Sequence, residues 1–173
     1  MSEEFTRFLH MFDQMVLFCE GWLDRMRPEQ LDWAPIENSS MKFGDRVSRI
    51  TVKGLVIHLA AGEAHWVQQL KACPAGATVS VPRNTALEKQ MASGDFRATA
   101  MAMHRSHMEQ LRSYTEEDLR KEIVFADRSW TVMGFLWAMY SHRAFHLGNI
   151  DIYLRQSDLV APDYFRFPAM QMA

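Results

Sequence analysis

Apolar residues recur at the spacing of an α-helix in four long stretches, and this periodicity constrains the fold more than any other feature of the sequence. The first stretch follows Ser2, a residue type that caps helices, and runs to about Pro28. The others run over about residues 52–70, 95–114 and 131–156. Four helices of similar length without sustained strand alternation predict an all-α fold, a four-helix bundle.

The connections between these helices contain residues that interrupt helices. Residues 28–49 predict a long connection, and two prolines and a glycine in residues 73–84 end the second helix. "TALEKQMAS" favours a short helical piece before Gly94, "TEEDL" a turn, and "KEIVFADRSWTV" a short hairpin-like excursion before the last helix. The tail, residues 161–173, is expected to wrap or fray. We expect a single domain over residues 1–173.

Composition excludes several classes of function. The net charge of -2 and the scattered basic residues argue against nucleic-acid binding. The longest apolar stretch, residues 132–140, is shorter than the roughly 20 residues of a membrane span, so no membrane partner is expected. The acidic start "MSEEF" lacks a signal peptide's basic residues, which predicts a cytoplasmic protein. Cys19 and Cys73 show no metal-binding or disulfide pattern and are interpreted as packing residues or inert thiols.

His142 and His146 are the first candidates for a functional site. They lie four residues apart on the last predicted helix, so both imidazoles can reach one ion. Such a pair also arises by chance. However, Phe135 and Met139 share its face, which predicts that the histidines point toward the core, where a polar group needs a partner.

The second predicted helix offers two histidines for the third ligand position. His58 and His65 are separated by about 10.5 Å along the helix, so only one of them can join the site. We favour His58 because Ala61 and Gly62, one turn further on, leave room for an ion and a substrate. His65 has polar neighbours and is expected at the rim.

Three other histidines are interpreted differently. His104 and His107 could also lie side by side, but His104 shares a stripe with apolar residues, and we predict that this pair is structural. His10 is expected at the surface. Three imidazoles leave a coordination position open, as in catalytic zinc sites, whereas a structural zinc usually has four protein ligands.

Two segments, "VIHLAAGEAHW" and "SHRAFHLGNIDIYLR", resemble the DinB/YfiT-like family of metal-binding helical bundles. The positions that match its motifs are His58, His142, His146, Gly148 and Asn149. The resemblance covers most of the chain and implies an up-down-down-up bundle, a divalent ion such as zinc or nickel, and a homodimer. Relatives include thiol-dependent transferases and metal-dependent hydrolases, so a small-molecule substrate is implied.

The sequence departs from the family at Leu147, where arginine is frequent. Our leading hypothesis is a metal-dependent S-transferase that joins a low-molecular-weight thiol to a small electrophile. The alternatives are a metal-dependent hydrolase and a non-enzymatic dimeric stress-response or binding module with a structural metal. No catalytic base is identified, because Glu63 lies off the face of His58, and Tyr153 and Arg155 are weak candidates.

Overall fold

Four long helices make up the body of the molecule in the computed structural model, which describes residues 2–34, 50–161 and 163. In chain order, the elements are α1 (Glu3–Leu23), α2 (Pro28–Leu31), α3 (Val52–Ala72), α4 (Thr85–Ser93), α5 (Phe96–Arg112), α6 (Glu116–Arg120), β1 (Glu122–Phe125), β2 (Arg128–Thr131) and α7 (Val132–Gln156).

A capping side chain fixes the start of each long helix. Ser2, Thr51, Asp95 and Thr131 precede α1, α3, α5 and α7, and each side chain accepts a hydrogen bond from the backbone N–H three residues later. This bond satisfies one of the four amide groups that lack a partner at a helix start. The local sequence therefore sets where the elements that hold the site begin.

Contacts at both ends show that α1 and α7 run parallel. Near their starts, Trp137 Nε1 donates to Glu4 Oε1 over 3.0 Å. Just beyond their other ends, Arg25 donates to the carbonyl oxygen of Val160 over 2.9 Å.

The helix α5 runs antiparallel to α1. Tyr114, just after α5, stacks against Phe5 at the start of α1 with ring centroids 6.3 Å apart. Arg97, at the start of α5, donates to Glu20 near the end of α1.

The helices α3 and α7 are also antiparallel. Tyr153, late in α7, donates to the carbonyl oxygen of Ile50 just before α3, and Trp66, late in α3, packs edge-on against Phe135, early in α7. Helices α1 and α7 therefore point one way and α3 and α5 the other, which confirms the expected up-down-down-up four-helix bundle.

The core consists of two buried apolar clusters. One lies mainly around the end of α1, the start of α3 and the end of α7, and the other around the start of α1, the end of α3 and the start of α7. Helix α1 supplies four phenylalanines that are at most 1% exposed, namely Phe5, Phe8, Phe12 and Phe18. Within the described residues, no helix is long and apolar enough to cross a membrane.

The structure corrects three predicted elements. The first helix ends at Leu23, before the expected Pro28, and α2 lies within the predicted connection of residues 28–49. "TEEDL" forms the helix α6 rather than a turn, because Thr115 and Asp118 cap its first turn reciprocally. Residues 35–49 of that connection and residues 162 and 164–173 of the tail lie outside the described residues.

The predicted hairpin and the helical piece before Gly94 are confirmed. Strands β1 and β2 pair antiparallel, with Phe125 opposite Arg128. Ala126 and Asp127 form the turn with φ of 51° and 59°, the left-handed conformation that tight hairpin turns require. The hairpin leads directly into α7 and so sets where the helix with the His142/His146 pair starts.

Candidate metal centre

The Nε2 atoms of His58, His142 and His146 converge between α3 and α7. Nε2 of His142 lies 3.4 Å from Nε2 of His58 and 3.1 Å from Nε2 of His146. One ring nitrogen from each of the three residues lies within 4.8 Å of the other two. The structure thus brings together all three residues of the predicted site from two helices.

This geometry fits one divalent ion. Ligand nitrogens about 2.1 Å from a tetrahedral zinc are about 3.4 Å apart, close to both measured separations. Imidazole nitrogen also suits nickel, copper and iron, so the donor set restricts the class of ion without selecting one. Among the described residues, these histidines are the one group of three or more His, Cys, Asp or Glu side chains arranged to hold a metal.

Burial keeps the two histidines of α7 neutral, the form that binds metals. Desolvation lowers the pKa of His142. Burial and, secondarily, the neighbouring His142 lower the pKa of His146 to about 4. At neutral pH both rings therefore carry an unprotonated nitrogen with a lone pair available for a metal.

Asn149 supports His146 from the next turn of α7. Its side-chain amide lies 3.4 Å from Nδ1 of His146. If Nε2 of His146 binds an ion, Nδ1 carries the proton, and the amide would present its oxygen as acceptor. The Asn149 identified through the family resemblance is therefore in contact with a predicted ligand.

Aromatic rings flank the histidines on both sides. Trp66 packs edge-on against His142, with ring centroids 5.5 Å apart, and Phe145 packs edge-on against His146 at 5.3 Å. Phe145 is 69% exposed, whereas Trp66 is 8% exposed. The site thus has a buried apolar wall on one side and an exposed aromatic side chain on the other.

The room expected beside His58 is partly filled. A Cβ atom at Gly62 would come within 3.7 Å of Pro82 and 3.9 Å of Trp66, which are ordinary contact distances. Pro82 is buried, and its neighbour Val81 is 57% exposed. The segment after α3 therefore packs one turn from His58, a proximity that the sequence analysis did not predict.

The remaining α3 and α5 histidines have other roles. His65 Nε2 lies 3.0 Å from Ser80 Oγ, which ties α3 to the segment that carries Pro82. His104 Nε2 lies 2.9 Å from Asp13 Oδ1, and His104 and His107 are both buried. The contact with Asp13 agrees with a structural role for His104, whereas Nδ1 of His107 is buried without a hydrogen-bond partner among the described residues, and the structural role of His107 stays a prediction. His10 is exposed, as expected.

Outside the triad of His58, His142 and His146, the three residues considered for catalysis are engaged in other interactions. Glu63 is 1% exposed and accepts two hydrogen bonds from Arg143. Tyr153 donates to Ile50, and Arg155 donates to Asp151 over 2.9 Å. None of these contacts places a proton-transfer group at the three histidines.

Neither cysteine is arranged as a nucleophile. Cys19 is 2% exposed, and burial raises the pKa of its thiol to about 11. Cys73 is half-buried, and its Sγ lies 3.8 Å from the carbonyl oxygen of Leu70. Since the thiolate is the reactive form of cysteine, Cys19 is an inert core residue, as predicted.

Comparison with known families identifies the relatives of the chain. The family model described as mycothiol-S-transferase matches residues 9–158. The chain belongs to this family. Together with similar solved structures, the match confirms the predicted membership of the DinB/YfiT-like group. No match is found among curated proteins.

Two solved structures share the fold of this mycothiol-S-transferase family member. YfiT from Bacillus subtilis, described as a probable metal-dependent hydrolase with an unusual four-helix bundle topology, is 16% identical with a TM-score of 0.68. That alignment covers 92% of this chain and 91% of YfiT. A DinB-like protein from Bacillus subtilis, YjoA, is 20% identical with a TM-score of 0.63, covering 94% of this chain and 97% of its own.

Proposed function

We propose that the protein is a metal-dependent enzyme that transfers a small thiol to an electrophile, with His58, His142 and His146 as the metal ligands. The convergence of the three Nε2 atoms carries this proposal. Three imidazoles leave at least one position of a four-coordinate ion open to substrate, as in catalytic zinc sites. Zinc or nickel is the ion we expect, as the resemblance to the DinB/YfiT-like family implies, and imidazole ligands suit both metals.

The sulfur nucleophile comes from a co-substrate. Cys19 is buried with a raised pKa, so its thiolate is not available at neutral pH. Membership of the mycothiol-S-transferase family supports a low-molecular-weight thiol as the missing partner. The chemistry that the ion would supply is stabilisation of the thiolate form of that thiol at neutral pH.

The side chains around the triad orient and shield the reactants. Asn149 holds the ring of His146, and Trp66 packs against His142 and excludes water from one side of the site. The exposed Phe145 offers an apolar contact for the electrophile. In the transfer, sulfur forms a bond to the electrophilic carbon, the leaving group departs with its electron pair, and the thiol proton passes to solvent.

Two alternatives stay open to test. YfiT is described as a probable metal-dependent hydrolase, but Glu63, the acidic residue considered as a general base, is paired with Arg143. Exposed methionine and aromatic surface on α1 would support a binding module with a structural metal. The aromatic side chains of α1 are buried instead, which does not favour that reading.

We further propose that the enzyme acts in the cytoplasm as a homodimer on a small-molecule substrate. The family's thiol chemistry supports the substrate class. Size-exclusion chromatography with light scattering measures the oligomeric state directly.

Turnover assays test the proposed reaction. The zinc- or nickel-loaded protein is incubated with mycothiol, bacillithiol or glutathione and a bimane electrophile, with chelator-treated protein and His142→Ala as controls. We expect thiol-dependent product formation above the rate with free metal, and loss of that rate in both controls. Turnover of esters, amides or lactones without thiol would instead establish the hydrolase, and no activity in either assay would contradict the proposal.

A further inference from the structure

A buried ion pair joins the two helices that supply the metal ligands. Arg143 on α7 donates from Nε to Glu63 Oε1 over 2.7 Å and from Nη2 to Glu63 Oε2 over 2.6 Å. The two side chains are 6% and 2% exposed. Two parallel contacts of this length are the geometry of a bidentate ion pair between an arginine and a carboxylate.

Such a pair is costly to bury and contributes little net stability. Removing both charges from water offsets most of their attraction, and apolar residues of similar volume often stabilise a core as well or better. The best-attested use of a buried polar pair is to fix the register of neighbouring elements. The planar guanidinium suits this use because its two parallel hydrogen bonds define both distance and orientation.

The position of the pair relative to the ligands gives it this role here. Glu63 lies five residues after His58, about 140° around α3. Arg143 directly follows His142 and precedes His146 by three residues. With Cys19 of α1 and His107 of α5, the pair lines a small interior cavity, so it joins α3 and α7 on the side that faces α1 and α5.

The convergence of the triad depends on how α3 is positioned against α7, because α7 supplies two of the ligands and α3 supplies only one. The spacing of His142 and His146 is set within α7, whereas α3 supplies His58 alone. A rotation of α3 or a shift along its axis by a fraction of a turn would move His58 Nε2 out of its 3.4 Å separation from His142 Nε2. A contact that fixes both height and rotation is therefore needed nearby.

We propose that Glu63 and Arg143 are positioning residues that hold α3 and α7 in the register at which the three imidazoles converge. The inference rests on the proposed metal site and deepens it. Neither residue touches the ion or a substrate; both act through the helices that carry His58, His142 and His146.

Cobalt(II) binding measures this role separately from folding. The variants are Arg143→Lys, which keeps the charge but loses the two-pronged geometry, and the double variant Glu63→Leu with Arg143→Met, which leaves no unpaired buried charge. Arg97→Lys is the matched control, since Arg97 also pairs with carboxylates, those of Glu20 and Asp24, but joins α5 to α1. Urea unfolding of each metal-free variant gives its stability.

In chelator competition, we expect the cobalt(II) affinity of both test variants to be lower by a factor of about ten or more. Losses of this size are typical when a contact that supports a metal ligand is removed. Their cobalt(II) absorption spectra should also change, because ligand geometry sets the band positions. Arg97→Lys should match the unaltered protein in both respects. A purely structural ion pair would alter the unfolding free energy without altering the spectrum.

The outcomes separate this inference from the proposed site. If the unaltered protein binds cobalt(II) and the folded double variant binds it with the same affinity and spectrum, the positioning role is overturned while the metal site stands. If the double variant does not fold, Arg143→Lys decides, and unaltered affinity and spectrum in that variant overturn the role. If the unaltered protein binds no cobalt(II), the metal site fails and the positioning role fails with it.

Discussion

At the scale of single residues, the contact between Asn149 and His146 predicts a measurable effect of Asn149 on metal affinity. The amide lies 3.4 Å from Nδ1 of His146. In Asn149→Leu, a metal-bound His146 would lose the acceptor for its Nδ1 proton, and we expect metal affinity to fall about 10- to 100-fold. Chelator competition with zinc or cobalt(II) measures this loss.

Asn149→Asp is the matched control for that substitution. It keeps an acceptor of similar size at the same position, so we expect affinity at least equal to that of the unaltered protein. Unaltered affinity in Asn149→Leu would show that Asn149 does not support the ligand.

Individual site residues differed in how far the sequence could specify them. The pairing of His142 and His146 was predictable, because a spacing of four residues on one helix places the two rings side by side whatever the tertiary structure. The preference for His58 over His65 agrees with the convergence of the rings. The role of Glu63 was beyond sequence reasoning, since its partner Arg143 lies 80 residues away and only packing brings them together.

At the scale of elements, α6 shows that capping interactions can form a short helix where a polar sequence had predicted a turn. "TEEDL" contains only one apolar residue, yet Thr115 Oγ1 accepts from Asp118 N over 3.1 Å, and Thr115 N donates to Asp118 Oδ2 over 2.8 Å. The signal was present as Thr-x-x-Asp, a variant of the capping box. The hairpin was predictable because its β-branched and aromatic residues surround a turn.

The capping interaction of α6 makes a stability prediction. Thr115→Ala removes the side-chain acceptor, and we expect the free energy of unfolding to fall by about 1 kcal/mol. Thr115→Ser keeps the hydroxyl and should retain most of the stability. Urea unfolding followed by circular dichroism measures both variants. Equal stability of the alanine variant and the unaltered protein would contradict a contribution from this cap.

For the molecule as a whole, the fold was largely predictable, whereas the order of helices around the bundle rested on the family resemblance. Periodicity and breakers locate the four long helices because these signals are local. The arrangement in which α7 lies between α1 and α3 depends on contacts between distant residues. Residues 35–49 and 164–173 lie outside the described part of the chain, so the predictions for them stay predictions.

The buried His107 predicts how the stability of the whole molecule depends on pH. Burial lowers its pKa to about 4, against about 6.5 in an unfolded chain. Between these values the unfolded chain binds a proton that the folded protein does not, so stability falls as the pH falls through this window. Glu63, His104 and Arg143 are the charged or titratable groups that act on it.

His107→Leu tests this pH dependence in metal-free protein. From pH 7 to pH 5, we expect the unaltered protein to lose about 2 kcal/mol more unfolding free energy than the variant. Met108→Leu, at the adjacent buried position, should keep the original dependence. Identical pH slopes in His107→Leu and the unaltered protein would show that His107 is not buried in its neutral form.

The central claim is that His58, His142 and His146 together hold one divalent ion, and the metal content of purified variants tests it most directly. Elemental analysis of protein prepared without chelators should give about one zinc or nickel per chain for the unaltered protein and for His65→Ala, whose ring contacts Ser80 instead. Alanine at any of the three ligand positions should reduce this content to a small fraction. A His142→Ala variant that keeps its full metal content would contradict the account.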